Sequence, residues 1–223
     1  MGRSRFDFCL VACAYCLKSQ QFFLMEQRTD SELILAYRQG EVAALDFLIQ
    51  RFLPRIYGFQ FRMLRDSSLA EDLTQETFLK VWKSLGRFDA SKSFKTWVFA
   101  IAKNVAIDYL RKKQPLVSFP FEMGEEDHLP PEEREAYTDP QPLAPHLLEQ
   151  ADLRQEIDQA LAFLPPKTRT IVLLHDVDDL TFAEIAEMSG EPLNTVKSRY
   201  RRAILFLREK FPRLGGLPGD APK

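Results

Sequence analysis

Apolar residues near the C-terminus return at helical intervals. Val196, Tyr200, Ala203, Ile204, Leu207 and Phe211 follow i, i+4, i+7, i+8, i+11, i+15, one buried stripe of a helix beginning near residue 192. Lys197, Arg199, Arg201, Arg202 and Arg208 stand off that stripe. Just upstream, Phe182, Ile185, Ala186 and Met188 mark a short helix. Thr181 and Glu184 have the spacing of a capping box, and Gly190 supplies the backbone freedom a C-terminal stop needs. Pro192 suits the first turn of the next helix. Residues 181–202 therefore predict a helix-turn-helix whose second helix is rich in arginine.

The same period predicts helices near 152–163, 166–175, 181–188 and 192–211, with Pro165 and Pro166 dividing the first pair. Upstream it predicts 30–39, 42–65, 68–85 and 93–113, stopped by Gly40, Asp66 with Ser67, and Gly86. Pro54 is expected to bend or divide the second of these. Leu73, Phe78, Val81 and Leu85 are the inward candidates on the third, and Trp97, Ile101, Val105 and Leu110 on the fourth. No alternating strand run survives inspection, so the fold class is all-α, with two small helical domains.

Between the domains, residues 114–150 hold seven of the 14 prolines and show no sustained apolar period, the signature of a flexible linker. The expected organisation is thus an N-terminal extension 1–27, a domain 28–113, the linker 114–150, a domain 151–213 and a tail 214–223.

The net charge of -2 looks wrong for a nucleic-acid binder until it is divided along the chain. Residues 28–113 carry 15 basic and 10 acidic side chains, residues 114–150 carry 1 and 9, and residues 151–213 carry 10 and 10. A basic domain, an acidic linker and a mixed domain with a basic helix account for the near-neutral total.

An arginine-rich second helix delivered outward by a tight turn suits a major groove, since guanidinium groups reach guanine edges and phosphates with paired donors. In the first domain Lys95, Lys103, Arg111, Lys112 and Lys113 form a basic flank broken chiefly by Asn104 and Asp108. Cations beside aromatics suit single-stranded nucleic acid. Trp97 and Phe99 nevertheless have helical spacing and are expected in the core before the surface.

The run DLTQETFLKVW, followed by SFKTWVFAIAKNVAIDYLRKK, resembles conserved region 2 of the extracytoplasmic-function, group IV, sigma factors of bacterial RNA polymerase. LPPKTRTIVLLHDVDDLTFAEIAEMSGEPLNTVKSRYRRA resembles their region 4. The resemblance covers most of residues 28–211, and the order of its parts, with no third domain between them, is that of this group. It implies a protein that binds core RNA polymerase, directs it to promoters and helps open the duplex. By match of position, it implies that Asp72, Gln75, Glu76, Phe78 and Leu79 meet the polymerase. It places Lys95, Lys103, Asn104, Asp108 and Arg111 at the separated strand of the minus-10 element, and the loop 87–93 around an extruded base. Lys197, Ser198, Arg201 and Arg202 match positions that meet minus-35 bases, and Thr195 and Arg199 match phosphate contacts. It further implies a linker threading the polymerase and an anti-sigma partner. Two departures stand out: Glu191 where a better N-cap is frequent, and Asn194 in place of a frequent glycine.

Residues 1–24 lie outside the resemblance and hold Cys9, Cys13 and Cys16. Three thiols without a nearby histidine make a poor zinc site, and Leu10 to Cys13 form only a short lipoprotein-like box interrupted upstream by Asp7. Translation from Met25, or a disordered extension, is the plainer expectation. No metal, cofactor or catalytic constellation is expected, because His128, His146 and His175 pair with no candidate nucleophile. With no membrane-spanning stretch, a cytoplasmic protein is expected. Two rival functions stay open at this point. One is a helix-turn-helix regulator acting without polymerase, and the other a metal-dependent phosphodiesterase, disfavoured by its scattered carboxylates.

Overall fold

The computed structural model describes residues 27–113 and 151–211, with side chains from residue 156 in the second stretch. The linker 114–150, the three cysteines, His128, His146 and the tail 214–223 lie outside the described residues. The helices in chain order are α1 (Asp30–Arg38), α2 (Val42–Leu64), α3 (Ser67–Ser84), α4 (Phe94–Lys113), α5 (Ala151–Ala162), α6 (Pro166–Val172), α7 (Phe182–Ser189) and α8 (Leu193–Lys210). A 3-10 turn, Leu85–Arg87, follows α3, and a turn of π-helix, Leu173–Val177, extends α6. Among the described residues there is no strand. The chain is all-α, as the periodicity predicts, and the predicted and observed ends agree to within a few residues.

Where each helix stops has a local cause. Thr29 and Glu32 close a capping box on α1 that the sequence reading passed over. Asp66 accepts the N–H of Leu69 at 3.1 Å and so caps α3, while Arg65 ends α2 with a left-handed φ of 58°. Pro54 does not divide its helix: α2 runs through it without interruption.

Packing sorts the described residues into two compact units that do not follow chain order, one of residues 27–54 with 82–94 and one of 55–81 with 95–113 and 151–211. In the first, Leu33, Ile34, Leu48, Phe52, Leu85, Phe88 and Phe94 are buried. Phe94 meets Phe52 and Phe88 edge-on, with ring centroids 5.2 and 5.7 Å apart. Arg51 ties Asp30 at 2.6 Å.

In the second unit Ile56, Phe59 and Met63 of α2, Leu73 and Phe78 of α3, and Val98, Phe99, Ala102, Val105 and Ala106 of α4 are all buried. Buried Gln60 donates to the Ala102 carbonyl at 3.1 Å. The expected stripe on α4 is corrected here. Of Trp97, Ile101, Val105 and Leu110 only Val105 is buried. Apolar residues encircle most of this helix, so its period carries little phase information, and the alanines settle which side packs closely.

Candidate polymerase and nucleic-acid interfaces

The outer side of α3 is built by its inner one. Leu73, Thr74, Thr77, Phe78 and Val81 turn inward, which leaves Asp72, Gln75, Glu76 and Leu79 in solvent. Leu79 is 54% exposed, and Trp82, one turn further on, is 55% exposed. Two large apolar side chains at i and i+3 thus stand as neighbours on an otherwise charged face. Phe78, a candidate for that face, lies in the core and supports the strip from behind. Trp82 was missed by the sequence reading, although its three-residue spacing from Leu79 was visible. Glu76 pairs with Lys80 at 2.8 Å, which fixes part of the rim.

The loop 87–93 is held from within. Arg38 donates to the carbonyls of Leu85 and Phe88, and the Asp89 carboxylate accepts the Ser91 N–H at 3.0 Å and its hydroxyl at 2.8 Å. Those two bonds hold the Asp89 carboxyl below its ordinary pKa. Arg87, Asp89, Ser91 and Lys92 remain exposed around this rigid turn.

Along α4 the candidate side chains divide. Asn104 and Arg111 are exposed, and Arg111 pairs with Asp108 at 3.0 Å. Lys95 and Lys103 are engaged: their ammonium groups donate to the Asp179 carbonyl at 3.1 Å and the Met188 carbonyl at 2.8 Å. Lys103 is only 8% exposed, and burial lowers its pKa despite the opposing pull of Glu191. Thr96 donates to the Glu184 carboxylate at 2.8 Å. Nearby, Arg55 of α2 pairs with the Asp178 carboxylate at 3.4 Å and donates to its carbonyl at 2.9 Å. Burial drives the Asp178 pKa up to about 7 against the attraction of Arg55, Arg62 and Lys95.

The helix-turn-helix follows its prediction closely. Thr181 accepts the Glu184 N–H at 3.3 Å, and the Glu184 carboxylate accepts the Thr181 N–H at 2.9 Å. Burial works to raise the Glu184 pKa, but its bonds to Thr181 and Thr96 and the charge of Lys95 hold it low. Gly190 takes a φ of 68°, the left-handed conformation that favours glycine and lets the chain turn into α8. Val196, Tyr200, Ala203, Ile204 and Leu207 are buried as the stripe predicts. A ring cluster fixes the angle of α8: His175 lies 4.0 Å from Phe182 and 4.9 Å from Tyr200, and the Tyr200 hydroxyl donates to Asp176 at 2.7 Å. His175 thus belongs to the packing of this motif.

On α8 itself, Lys197, Arg201 and Arg202 are half-exposed, as is Thr195. Lys197 lies over the Phe182 ring at 5.8 Å, and Arg202 donates to the Ser198 carbonyl at 3.4 Å. Ser198 is buried, and its hydroxyl donates to the Thr195 carbonyl at 3.1 Å. Arg199 donates to both carboxylate oxygens of Glu191, at 2.6 and 2.5 Å. The structure therefore gathers the predicted cations on one helix but leaves Ser198 inaccessible in this conformation. Among the described residues, no three His, Cys, Asp or Glu side chains gather as a metal site, and no helix is long and apolar enough to cross a membrane.

The chain matches two sequence families: Sigma-70 region 2 over residues 48–115 and Sigma-70, region 4 over residues 154–207. It is 31% identical to the ECF RNA polymerase sigma factor SigW of Bacillus subtilis, over 78% of this chain and 92% of that protein. It is 34% identical to the RNA polymerase sigma factor CarQ of Myxococcus xanthus, over 78% and 92% of the two chains. Its fold is shared with CnrH in complex with the cytosolic domain of CnrY, at a TM-score of 0.59, 19% identity and coverage of 82% and 97%. Sigma factor RpoE bound to the anti-sigma factor NepR, from Bartonella quintana, gives a TM-score of 0.52 at 22% identity, over 72% and 92%. Paired region 2 and region 4 matches, in this order and over a helical fold, make the chain a member of the extracytoplasmic-function group of sigma-70 family RNA polymerase sigma factors, acting in transcription initiation.

Proposed function

We propose that this sigma factor docks on core RNA polymerase through the outer face of α3, using Asp72, Gln75, Glu76, Leu79 and Trp82. The observation that carries this reading is the exposed Leu79–Trp82 pair on a helix whose opposite face is already filled. Asn104, Asp108 and Arg111, with Lys95 and Lys103 once these exchange their present partners, then hold the separated minus-10 strand, and the loop 87–93 receives an extruded base. In α8, Lys197, Arg201 and Arg202 read minus-35 base edges and Arg199 meets a phosphate, each good bidentate base contact supplying about 1–3 kcal/mol of discrimination. Phosphodiester chemistry stays with the polymerase, and the protein works beside it in the cytoplasm. An anti-sigma protein covering these faces fits one of the structural relatives, the sigma factor RpoE solved with the anti-sigma factor NepR.

The test is run-off transcription by purified core polymerase on a pool of genomic promoter fragments. Discrete new transcripts are expected with the wild-type chain, and their loss with Leu79→Arg, at unchanged helicity. Tight operator binding without polymerase, and no transcripts with it, would instead establish the regulator reading.

A further inference from the structure

Glu191 and Arg199 are engaged with each other before any DNA is present. Both Glu191 oxygens accept from one guanidinium nitrogen, and the side chains are only 23% and 26% exposed. Glu191 stands in the turn of the helix-turn-helix, where its N–H bonds the Ala186 carbonyl at 3.2 Å and fixes its place. Arg199 lies in the second turn of α8, and its side chain leans back toward the start of the helix. The carboxylate is thereby set beside the N-terminal end of α8, where the helix dipole favours an anion.

That same end of a recognition helix is where duplex DNA presents a backbone phosphate. Carboxylate and phosphate are chemically alike to a guanidinium, since both accept paired N–H donors and both carry negative charge. Arg199 cannot give its full charge to one while the other keeps it. A fully exposed pair would matter little, because water and salt screen its charges. This pair is mostly shielded from water and doubly hydrogen-bonded, so its charges are poorly screened.

We propose that Glu191 is a built-in counter-anion that competes with the DNA backbone for Arg199 and so restrains sequence-independent binding by the recognition helix. The inference rests on the reading of α8 as the minus-35 helix. Backbone attraction supplies nearly all non-specific affinity, and a genome offers an excess of wrong sites. A sigma factor that neutralises one of its own phosphate-seeking cations is less easily held at them. The expectation of an N-cap at 191 is corrected by the structure: Pro192 is the N-cap of α8, and Glu191 stands one residue before it with both carboxylate oxygens bonded to Arg199.

The test measures binding of holoenzyme, built from core polymerase and the full chain, to a fluorescent duplex with a scrambled minus-35 region. Salt is varied over about 50–200 mM, the range in which backbone binding changes steeply. Glu191→Gln is expected to bind several-fold tighter, with a plot of log K against log salt steeper by about 0.9, the increment for one more neutralised phosphate. Glu191→Asp keeps the charge and should stay near wild type. In an Arg199→Gln background, Glu191→Gln should have no further effect, because the cation it releases is gone. Unchanged or weaker binding by Glu191→Gln, or a gain that persists without Arg199, overturns the proposal. If Arg199→Gln weakens binding while Glu191→Gln does nothing, the recognition-helix reading stands and the counter-anion is rejected. If Arg199→Gln itself changes nothing, the phosphate role of Arg199 falls and this inference with it.

Discussion

Arg169 is a buried charge that ties several chain segments together. It is 6% exposed and donates to four carbonyls: Met63 at 2.7 Å, Leu161 and Ala162 at 2.9 Å, and Leu164 at 3.0 Å. It thereby satisfies the open C-terminal end of α5 and reaches the end of α2 with one planar group. Burial lowers its pKa only to about 10, so it stays charged at neutral pH. Arg169→Ala would leave those buried carbonyls without this donor. We expect a loss of several kcal/mol in urea unfolding, at about 1–3 kcal/mol for a buried acceptor left unsatisfied, and only partial recovery with Lys, which lacks the fork. Asp178 makes the opposite kind of prediction. Its folded pKa of about 7 lies above the ordinary 3.8, so its contribution to stability is complete below about pH 4 and is lost as pH rises to about 7. The shift corresponds to a few kcal/mol at most, on the scale of about 1.4 kcal/mol per pH decade. The lowered carboxyls of Glu32, Asp89 and Glu184 change stability in the other direction, gaining it as pH rises through their own lower range. The difference between wild type and Asp178→Asn isolates the one group. Wild type should lose stability relative to the variant between pH 4 and 7, and a parallel pair of pH profiles would refute this account.

At the scale of the helix, the cap of α7 and the stripe of α8 were legible, while the α1 cap, the phase of α4 and the buried polar roles were not. Thr181, Glu184 and Gly190 act through neighbours a few residues away, so spacing alone located α7 and its turn. The α8 stripe was equally plain because its polar side is densely charged. On α4, apolar residues on nearly every side hid the phase, and Lys103 was expected outside but lies buried because its partner, Met188, is far away in sequence. Arg169 and Ser198 eluded the sequence for the same reason: burial depends on what the rest of the chain brings near. The face of α3 is intermediate, since its charged positions were read and Trp82 was overlooked despite its visible spacing from Leu79. Were Leu79 and Trp82 the apolar centre of a polymerase contact, Trp82→Ala should weaken association with core polymerase on the order of thirtyfold, the scale of a hot-spot residue at about 2 kcal/mol. Lys83→Ala, exposed on the same turn, should cost much less. Equal effects of the two substitutions would argue against an apolar anchor.

For the whole molecule, the decisive point is that one set of groups on α4 has two sets of partners. Lys95, Thr96 and Lys103 are bonded to Asp179, Glu184 and Met188, in and around the first helix of the helix-turn-helix, and Arg55 holds Asp178 beside them. Under the proposed function the same lysines face a single-stranded phosphate backbone, and no ammonium can serve both fully. Binding of the minus-10 strand therefore has to displace these protein bonds, and its apparent affinity is reduced by the cost of doing so. Arg55→Ala acts mainly on the protein side. It removes two bonds to Asp178 and an ion pair to Asp179, and leaves the Asp178 carboxyl buried with less compensation, which disfavours the packed arrangement while keeping the side chains of Lys95, Lys103, Asn104 and Arg111 and lifting the repulsion of Arg55 on Lys95. The free Arg55→Ala chain should bind a single-stranded minus-10 oligonucleotide more tightly, up to about tenfold for each 1.4 kcal/mol of packing lost. Fluorescence anisotropy measures this directly, and thermal unfolding alongside it distinguishes release from general collapse. A variant that stays folded and binds the strand no better than wild type would mean that the bonds to Asp179 and Met188 do not compete with DNA, and that Lys95 and Lys103 serve the packing of the protein itself.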